Sequence, residues 1–103
     1  MAKELRIKLK IKDKEKTFVQ DFVPAQKVID TLEFWKKIET DETDVIDNIL
    51  GKIELAASYF DDDDVSSESI LSGMQAWELQ QKIDELISVV MGSEIDPKEQ
   101  ENQ

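Results

Sequence analysis

The side chains of this sequence that could do chemistry are mostly carboxylates. Its 103 residues include 24 Asp and Glu, and they include neither Cys nor His. The chain therefore has no thiol nucleophile, no zinc site of the usual His/Cys kind, and no side chain that ordinarily titrates near neutral pH. Carboxylates alone could form an acid/base pair or bind a hard cation such as Ca²⁺. Because no nucleophile or phosphate-binding loop accompanies them, we expect no enzymatic activity and no cofactor.

The densest group of carboxylates is a run of four aspartates at residues 61–64. An EF-hand loop needs Gly at its sixth position and Glu at its twelfth. Counted from Asp61, these positions hold Ser66 and Ser72. We therefore expect no metal site, and we interpret the run as a solvated loop between helices or as a charge patch for a basic partner.

The net charge of -11 is divided unevenly along the chain. Residues 1–16 carry +4, and residues 17–103 carry -15. An acidic body repels phosphate backbones, so we expect no nucleic-acid binding and favour a basic or self-complementary protein partner. No apolar run is long enough for a membrane span or a secretory signal, which predicts a protein that stays in the cytoplasm.

The N-terminal segment has the alternating pattern of a β-strand. Its apolar residues alternate with cationic ones over residues 5–12, so one face would be buried and the other would present lysines to solvent. We place a turn at residues 13–16 and a second strand at 17–23, with Phe18 and Phe22 on one face. The cationic face fits a guard against edge-to-edge aggregation, or a surface that pairs with acidic helices of the same or a neighbouring subunit.

Amphipathic helices are predicted for the rest of the chain. The first follows Pro24 over residues 24–39 and places Trp35 in the core, and the second spans residues 44–60 with Thr43 or Asp44 as its cap. Gly51 lies inside this second helix, where a neighbouring element could approach closely.

Two more helices complete the predicted body. Ser66 or Ser67 would cap a short helix that Gly73 closes, and a final helix would run from residue 76 to a stop at Gly92. Trp77 fits either the core or an interface.

These elements predict an α+β fold: an N-terminal antiparallel β-hairpin followed by three to four amphipathic helices packed as a small bundle. A single domain would occupy residues 1–92, with the hairpin at 1–23 and the helical body at 24–92. Residues 93–103 would form a disordered acidic tail, because they contain only one large apolar residue.

The order of these segments resembles the tail assembly chaperones of long-tailed, siphovirus-type phages and prophages of Gram-positive bacteria. The similarity covers roughly residues 3–92. It rests on the basic strand, the passage from Thr17-Phe18 to Phe22-Val23-Pro24, the acidic loop, the stretch Leu71-Ser72-Gly73-Met74, and a last helix ending Val90-Met91-Gly92.

This resemblance implies a small cytoplasmic protein that is not part of the virion. Such a chaperone keeps the helical tape measure protein soluble and promotes polymerisation of the tail tube protein around it, and self-association is possible. We expect a partly exposed apolar stripe to bind the partner helix or a second copy. The candidate residues are Met74, Trp77, Ile83, Leu86, Val90 and Met91.

A different class of function also fits the composition. An acidic chain could imitate the charge of DNA and inhibit a nucleic-acid-binding protein. Binding through carboxylates would weaken steeply with rising salt, whereas binding through an apolar groove would not.

Overall fold

The computed structural model describes residues 4–40 and 44–92 as a β-hairpin followed by four helices. The predicted α+β fold class is confirmed. The predicted disordered tail at 93–103 lies outside the described residues. The elements are β1 (Leu5–Ile11), β2 (Lys14–Gln20), α1 (Gln26–Thr40), α2 (Val45–Ser58), α3 (Ser67–Gly73) and α4 (Leu79–Val90), with a 3₁₀ turn at Ala76–Glu78 before α4.

The alternation of β1 buries one face of the hairpin. Leu5, Ile7 and Leu9 are buried, and the cationic residues between them remain exposed. β2 pairs antiparallel to β1 with Phe18 opposite Ile7, so both side chains enter the core together. A two-stranded hairpin is marginal by itself, and this one is stabilised because its apolar face packs on α3 and α4.

The turn of the hairpin differs from the prediction. It consists of Lys12 and Asp13 alone, both with positive φ (52° and 66°), and β2 begins at Lys14. Positive φ at both central residues is the type I′ arrangement that matches the twist of a hairpin. The predicted turn at 13–16 and strand at 17–23 were wrong because Lys-Asp lacks the Asn-Gly signal that usually marks such a turn.

The shifted strand also separates the two phenylalanines. β2 ends at Gln20, so Phe22 lies beyond the strand and is 71% exposed, while Phe18 is buried. Their predicted common face was therefore wrong. The Gln20 side chain is buried and ties the hairpin to the helices: its amide donates to the Asp61 carboxylate at 2.9 Å, and its oxygen accepts from the Asp61 backbone N–H at 2.9 Å.

The turn geometry predicts a stabilising substitution. Lys12→Asn with Asp13→Gly should raise the free energy of unfolding by about 1 kcal/mol, because Asn tolerates positive φ better than Lys does and Gly has no Cβ to strain it there. Urea unfolding should show a higher midpoint with an unchanged slope. As a control, Lys14→Asn with Glu15→Gly puts the same dipeptide inside β2 and should destabilise the protein. Stabilisation by the control pair would place the turn at residues 14–15 instead.

The helix boundaries follow local capping chemistry. The Asp44 carboxylate accepts the N–H of Asp47 at 2.8 Å, and Ser66 forms a reciprocal capping box with Ser69. Gly92, with φ of +80°, follows the end of α4. The structure thus selects Asp44 and Ser66 from the two caps predicted for each helix, and it confirms the predicted stop at Gly92. Pro24 lies two residues before α1, so the helix begins later than predicted.

Two glycines allow close packing between elements. A Cβ on Gly51 of α2 would lie 2.5 Å from Cε1 of Phe34 in α1, which confirms the predicted close approach. A Cβ on Gly73 would lie 2.7 Å from the backbone oxygen of Lys10 and 3.0 Å from its nitrogen. Gly73 therefore lets the end of α3 lie against the backbone of β1.

The first helix contributes little to the hydrophobic core. That core is built from the hairpin, α2, α3, α4 and the loop after α2, whereas the buried residue of α1 is a polar one, Thr31. Its hydroxyl lies 2.6 Å from the Tyr59 hydroxyl and donates to the Lys27 carbonyl at 2.8 Å. Burial raises the pKa of Tyr59, the hydrogen bond to Thr31 opposes this shift, and the nearby Asp30 charge adds to it.

Candidate protein-interaction surfaces

The six residues proposed from the sequence as a partner-binding stripe do not form one surface. Ile83 and Leu86 are buried in the core, and Met74, Val90 and Met91 are half-buried at its margin. Trp77 alone among the six is strongly exposed, at 79%. The structure brings Trp77 and Met74 to one groove, while Val90 lines a separate depression beside Phe22.

The groove beside Trp77 has a volume of about 1180 Å³ and lies between the hairpin and the start of α4. We call it the Trp77 groove. Its position follows from the 3₁₀ turn, which interrupts the predicted continuous helix at residues 76–78 and leaves the indole outside the core. Cationic residues of β1 face acidic and amide residues of the 3₁₀ turn and α4 across it. The lining includes Arg6, Lys8, Lys10, Glu78, Gln81 and Glu85.

A second surface consists of apolar side chains on α1 and α2 that the core leaves uncovered. We call these residues the α1–α2 hydrophobes. In α1 they recur every three residues and so lie on one helix face, and in α2 they occupy the first two turns. They are Ile29, Leu32 and Trp35 on α1, and Val45, Ile46 and Leu50 on α2.

The exposure of these hydrophobes corrects the sequence prediction for Trp35. Trp35 is 38% exposed and does not belong to the core. Val45 and Ile46 are 72% and 67% exposed, because the buried part of α2 begins only near Ile53. Periodicity correctly identified apolar faces on both helices, but it could not show that no other described element covers them.

The four aspartates at 61–64 form the loop between α2 and α3, as expected, and part of the loop docks on the hairpin. The Asp61 carboxylate accepts a hydrogen bond from the Gln20 side chain. The Asp64 carboxylate lies 3.5 Å from the Lys16 ammonium. Within the loop, the Asp62 side chain accepts the N–H of Asp64 at 2.9 Å. The loop thus places negative charge next to the cationic hairpin. Across residues 4–40 and 44–92, no cluster of acidic side chains has a geometry that could hold a metal ion.

The length and apolar character of the helices decide whether any of them could span a membrane. None of the helices in the described part of the chain is long and apolar enough to cross a membrane. Exposed apolar side chains grouped on a folded domain often mark a surface that contacts another molecule.

A comparison with protein families identifies the class of partner. The family model described as "Phage tail chaperone protein" matches residues 2–103. The chain belongs to the phage tail chaperone family. No curated protein and no solved structure shows significant similarity to it. Membership in this family implies that the partners of the chaperone are phage tail proteins.

Proposed function

We propose that this tail chaperone binds the tape measure protein, keeps it soluble in the host cytoplasm and promotes polymerisation of the tail tube around it without entering the virion. It acts by binding and not by catalysis. The observation that carries the proposal is the set of α1–α2 hydrophobes. A folded acidic chain that leaves six large apolar side chains exposed on two adjacent helices is suited to hold an apolar partner.

The spacing of the exposed residues fits a helical partner. Ile29, Leu32 and Trp35 lie at i, i+3 and i+6, and Ile46 and Leu50 lie at i and i+4. Such stripes accept the apolar face of an amphipathic helix. Fully burying a large apolar side chain stabilises by roughly 1.5 to 3 kcal/mol, so half-exposed residues can each contribute about 1 kcal/mol on binding.

The charge of the body supports the solubility part of the proposal. Residues 17–103 carry -15, and like charge on neighbouring complexes opposes their association. A chaperone whose apolar stripe is occupied by a client would still present this charge to solvent. The acidic surface therefore serves to keep the complex dispersed, while the apolar residues provide the attraction.

The residues first proposed from the sequence retain a place in this function. We propose that Trp77, with Met74 beside it, forms a second contact region in the Trp77 groove, and that Val90 and Met91 extend the contact at the far end of α4. Ile83 and Leu86 support these residues from the core, since both are buried.

Co-purification with the tape measure protein of the same phage or prophage tests the proposal. Leu32→Asp with Ile46→Asp should lower recovery of the tape measure protein by about tenfold or more, because each change puts a charge where an apolar contact is needed. Trp77→Asp in the same assay tests the groove. Since these side chains are exposed, circular dichroism and the unfolding midpoint should stay close to those of the parent.

Leu71→Asp provides the matched control. Leu71 is an exposed apolar residue of α3 outside the proposed contact, so its substitution should leave recovery unchanged. Raising the salt to about 1 M should leave binding largely intact, because the contact is apolar. Equal recovery with the double variant, or loss of binding in salt, would contradict the proposal and favour binding through the carboxylates.

A further inference from the structure

In the part of the chain that the structure describes, no strand lies beside the outer edge of β1. Within the described residues the sheet has two strands, and β2 covers only one edge of β1. No backbone hydrogen bond from the described loops or turns reaches β1. An edge of this kind presents a row of N–H and C=O groups that another chain can pair with.

The turn identifies which residues present these groups. A two-residue turn closes on a hydrogen-bonded pair, here Ile11 and Lys14, and bonded pairs then alternate along the ladder. The N–H and C=O groups of Lys10, Lys8 and Arg6 consequently point away from β2. Gly73 lies against Lys10, so the free part of the edge is centred on Arg6 and Lys8.

The free edge borders the Trp77 groove. Arg6, Ile7 and Lys8 line one side of the groove, and Trp77 and Glu78 line the other. Glu15 and Thr17 of β2 also line the groove, so it extends over the cationic face of the hairpin as well as along the β1 edge. The part between β1 and the start of α4 is where a third strand would lie. Successive side chains of an added strand would point to opposite faces of the sheet.

The charges beside the edge specify the strand that fits. On the open face an added strand would place its side chains next to Arg6, Lys8 and Lys10, which favours Asp or Glu at every second position. On the other face its side chains would approach Met74, which favours apolar residues. We propose that the β1 edge binds an extended peptide segment with alternating acidic and apolar residues, which pairs with Arg6 and Lys8 as a third strand of the sheet.

The same lysines would act as a guard against other strands. A row of cationic side chains repels a second copy of β1 and strands of like charge. It attracts an acidic strand, so the edge is selective and not simply blocked. The β1 edge is a separate surface from the α1–α2 hydrophobes, but it borders the Trp77 groove, which we also propose as a tape measure contact. A synthetic peptide tests strand pairing at this edge apart from tape measure binding.

A synthetic peptide tests the inference directly. The probe is a capped seven-residue peptide of alternating Glu and Val, titrated into the full chain. We expect saturable shifts of the Arg6 and Lys8 backbone amide resonances, and a change of Trp77 fluorescence in a Trp35→Phe variant. Two N-methylated peptides, one for each set of alternate amides, separate strand pairing from charge attraction. The one that blocks the amides facing β1 should bind at least about tenfold more weakly.

Charge controls complete the experiment. A Lys-Val peptide of the same length, and the Lys8→Glu protein with the original peptide, should each bind about tenfold more weakly than the parent pair. Lys37→Glu reverses an exposed lysine on α1, away from the groove, and should leave binding unchanged. Equal binding by both N-methylated peptides, equal binding by the Lys-Val peptide, or no saturable shift at millimolar peptide would overturn the inference.

Discussion

Gly73→Ala is expected to lower the free energy of unfolding by about 2 to 3 kcal/mol, because its new Cβ would overlap the backbone of β1. That carbon would lie 2.7 Å from the Lys10 backbone oxygen, and a backbone atom within a paired strand has little freedom to move. The substitution should therefore push the end of α3 away from the hairpin. Urea unfolding followed by circular dichroism measures the loss.

Gly51→Ala is the matched control for this prediction. Its Cβ would lie even closer to a neighbour, 2.5 Å from Cε1 of Phe34, but that atom belongs to a half-buried side chain that can rotate. Alanine also gains about 1 kcal/mol of helix propensity inside α2. We expect a net change within about 1 kcal/mol of zero. If Gly73→Ala cost no more than Gly51→Ala, the close approach of α3 to β1 would not be a packing constraint.

Thr31→Val should destabilise the protein by about 2 kcal/mol, although the two side chains have nearly the same shape. The change leaves the buried Tyr59 hydroxyl without the Thr31 oxygen that lies 2.6 Å from it, and an unsatisfied buried hydroxyl costs about 1 to 3 kcal/mol. Tyr59→Phe should cost less, because Thr31 keeps its hydrogen bond to the Lys27 carbonyl.

The double variant completes a thermodynamic cycle. Thr31→Val with Tyr59→Phe should be more stable than Thr31→Val alone, since no orphaned hydroxyl remains. Thermal or urea unfolding of the four proteins gives the coupling between the two hydroxyls. Strictly additive losses would show that they do not interact in solution.

The raised pKa of Tyr59 makes the free energy of unfolding depend on pH, and the direction of this dependence can be predicted. In the folded protein burial keeps the phenol protonated to higher pH than in the unfolded chain, where the pKa is about 10. Its contribution to stability is complete below pH 10 and is lost as the pH rises above that value, because the unfolded state ionises first. Since lysines titrate in the same range, the measurement is the difference between the parent and Tyr59→Phe, which should shrink as the pH rises.

The hairpin and the helix ends show what the sequence could predict. Alternation identified β1 to within one residue, and the Asp44 and Ser66 caps were predictable because capping depends on neighbours in sequence. The position of β2 was not predictable in this way. Lys12 and Asp13 both adopt positive φ, but neither is a glycine that would signal a turn. The turn was therefore assigned to the polar residues that follow.

The interaction surfaces were harder to predict, because periodicity identifies the apolar face of a helix but not whether another element covers it. The spacing of Leu32 and Trp35 in α1 and that of Ile83 and Leu86 in α4 both describe an apolar face. Which face is covered depends on packing between distant segments, and the structure buries the second pair and exposes the first. The 3₁₀ turn that exposes Trp77 likewise interrupts a pattern that reads as one continuous helix.

Because α1 contributes little to the core, we expect it to be locally less stable than the hairpin and the other helices. Among its 15 residues, α1 has one buried side chain, Thr31, whereas the hairpin and the remaining helices share the hydrophobic cluster. Detaching α1 breaks the hydroxyl contact to Tyr59, uncovers part of that side chain and releases a few half-buried side chains, but it leaves the other members of the cluster packed on one another. The helix can therefore open as a separate cooperative unit, at a lower free energy than global unfolding.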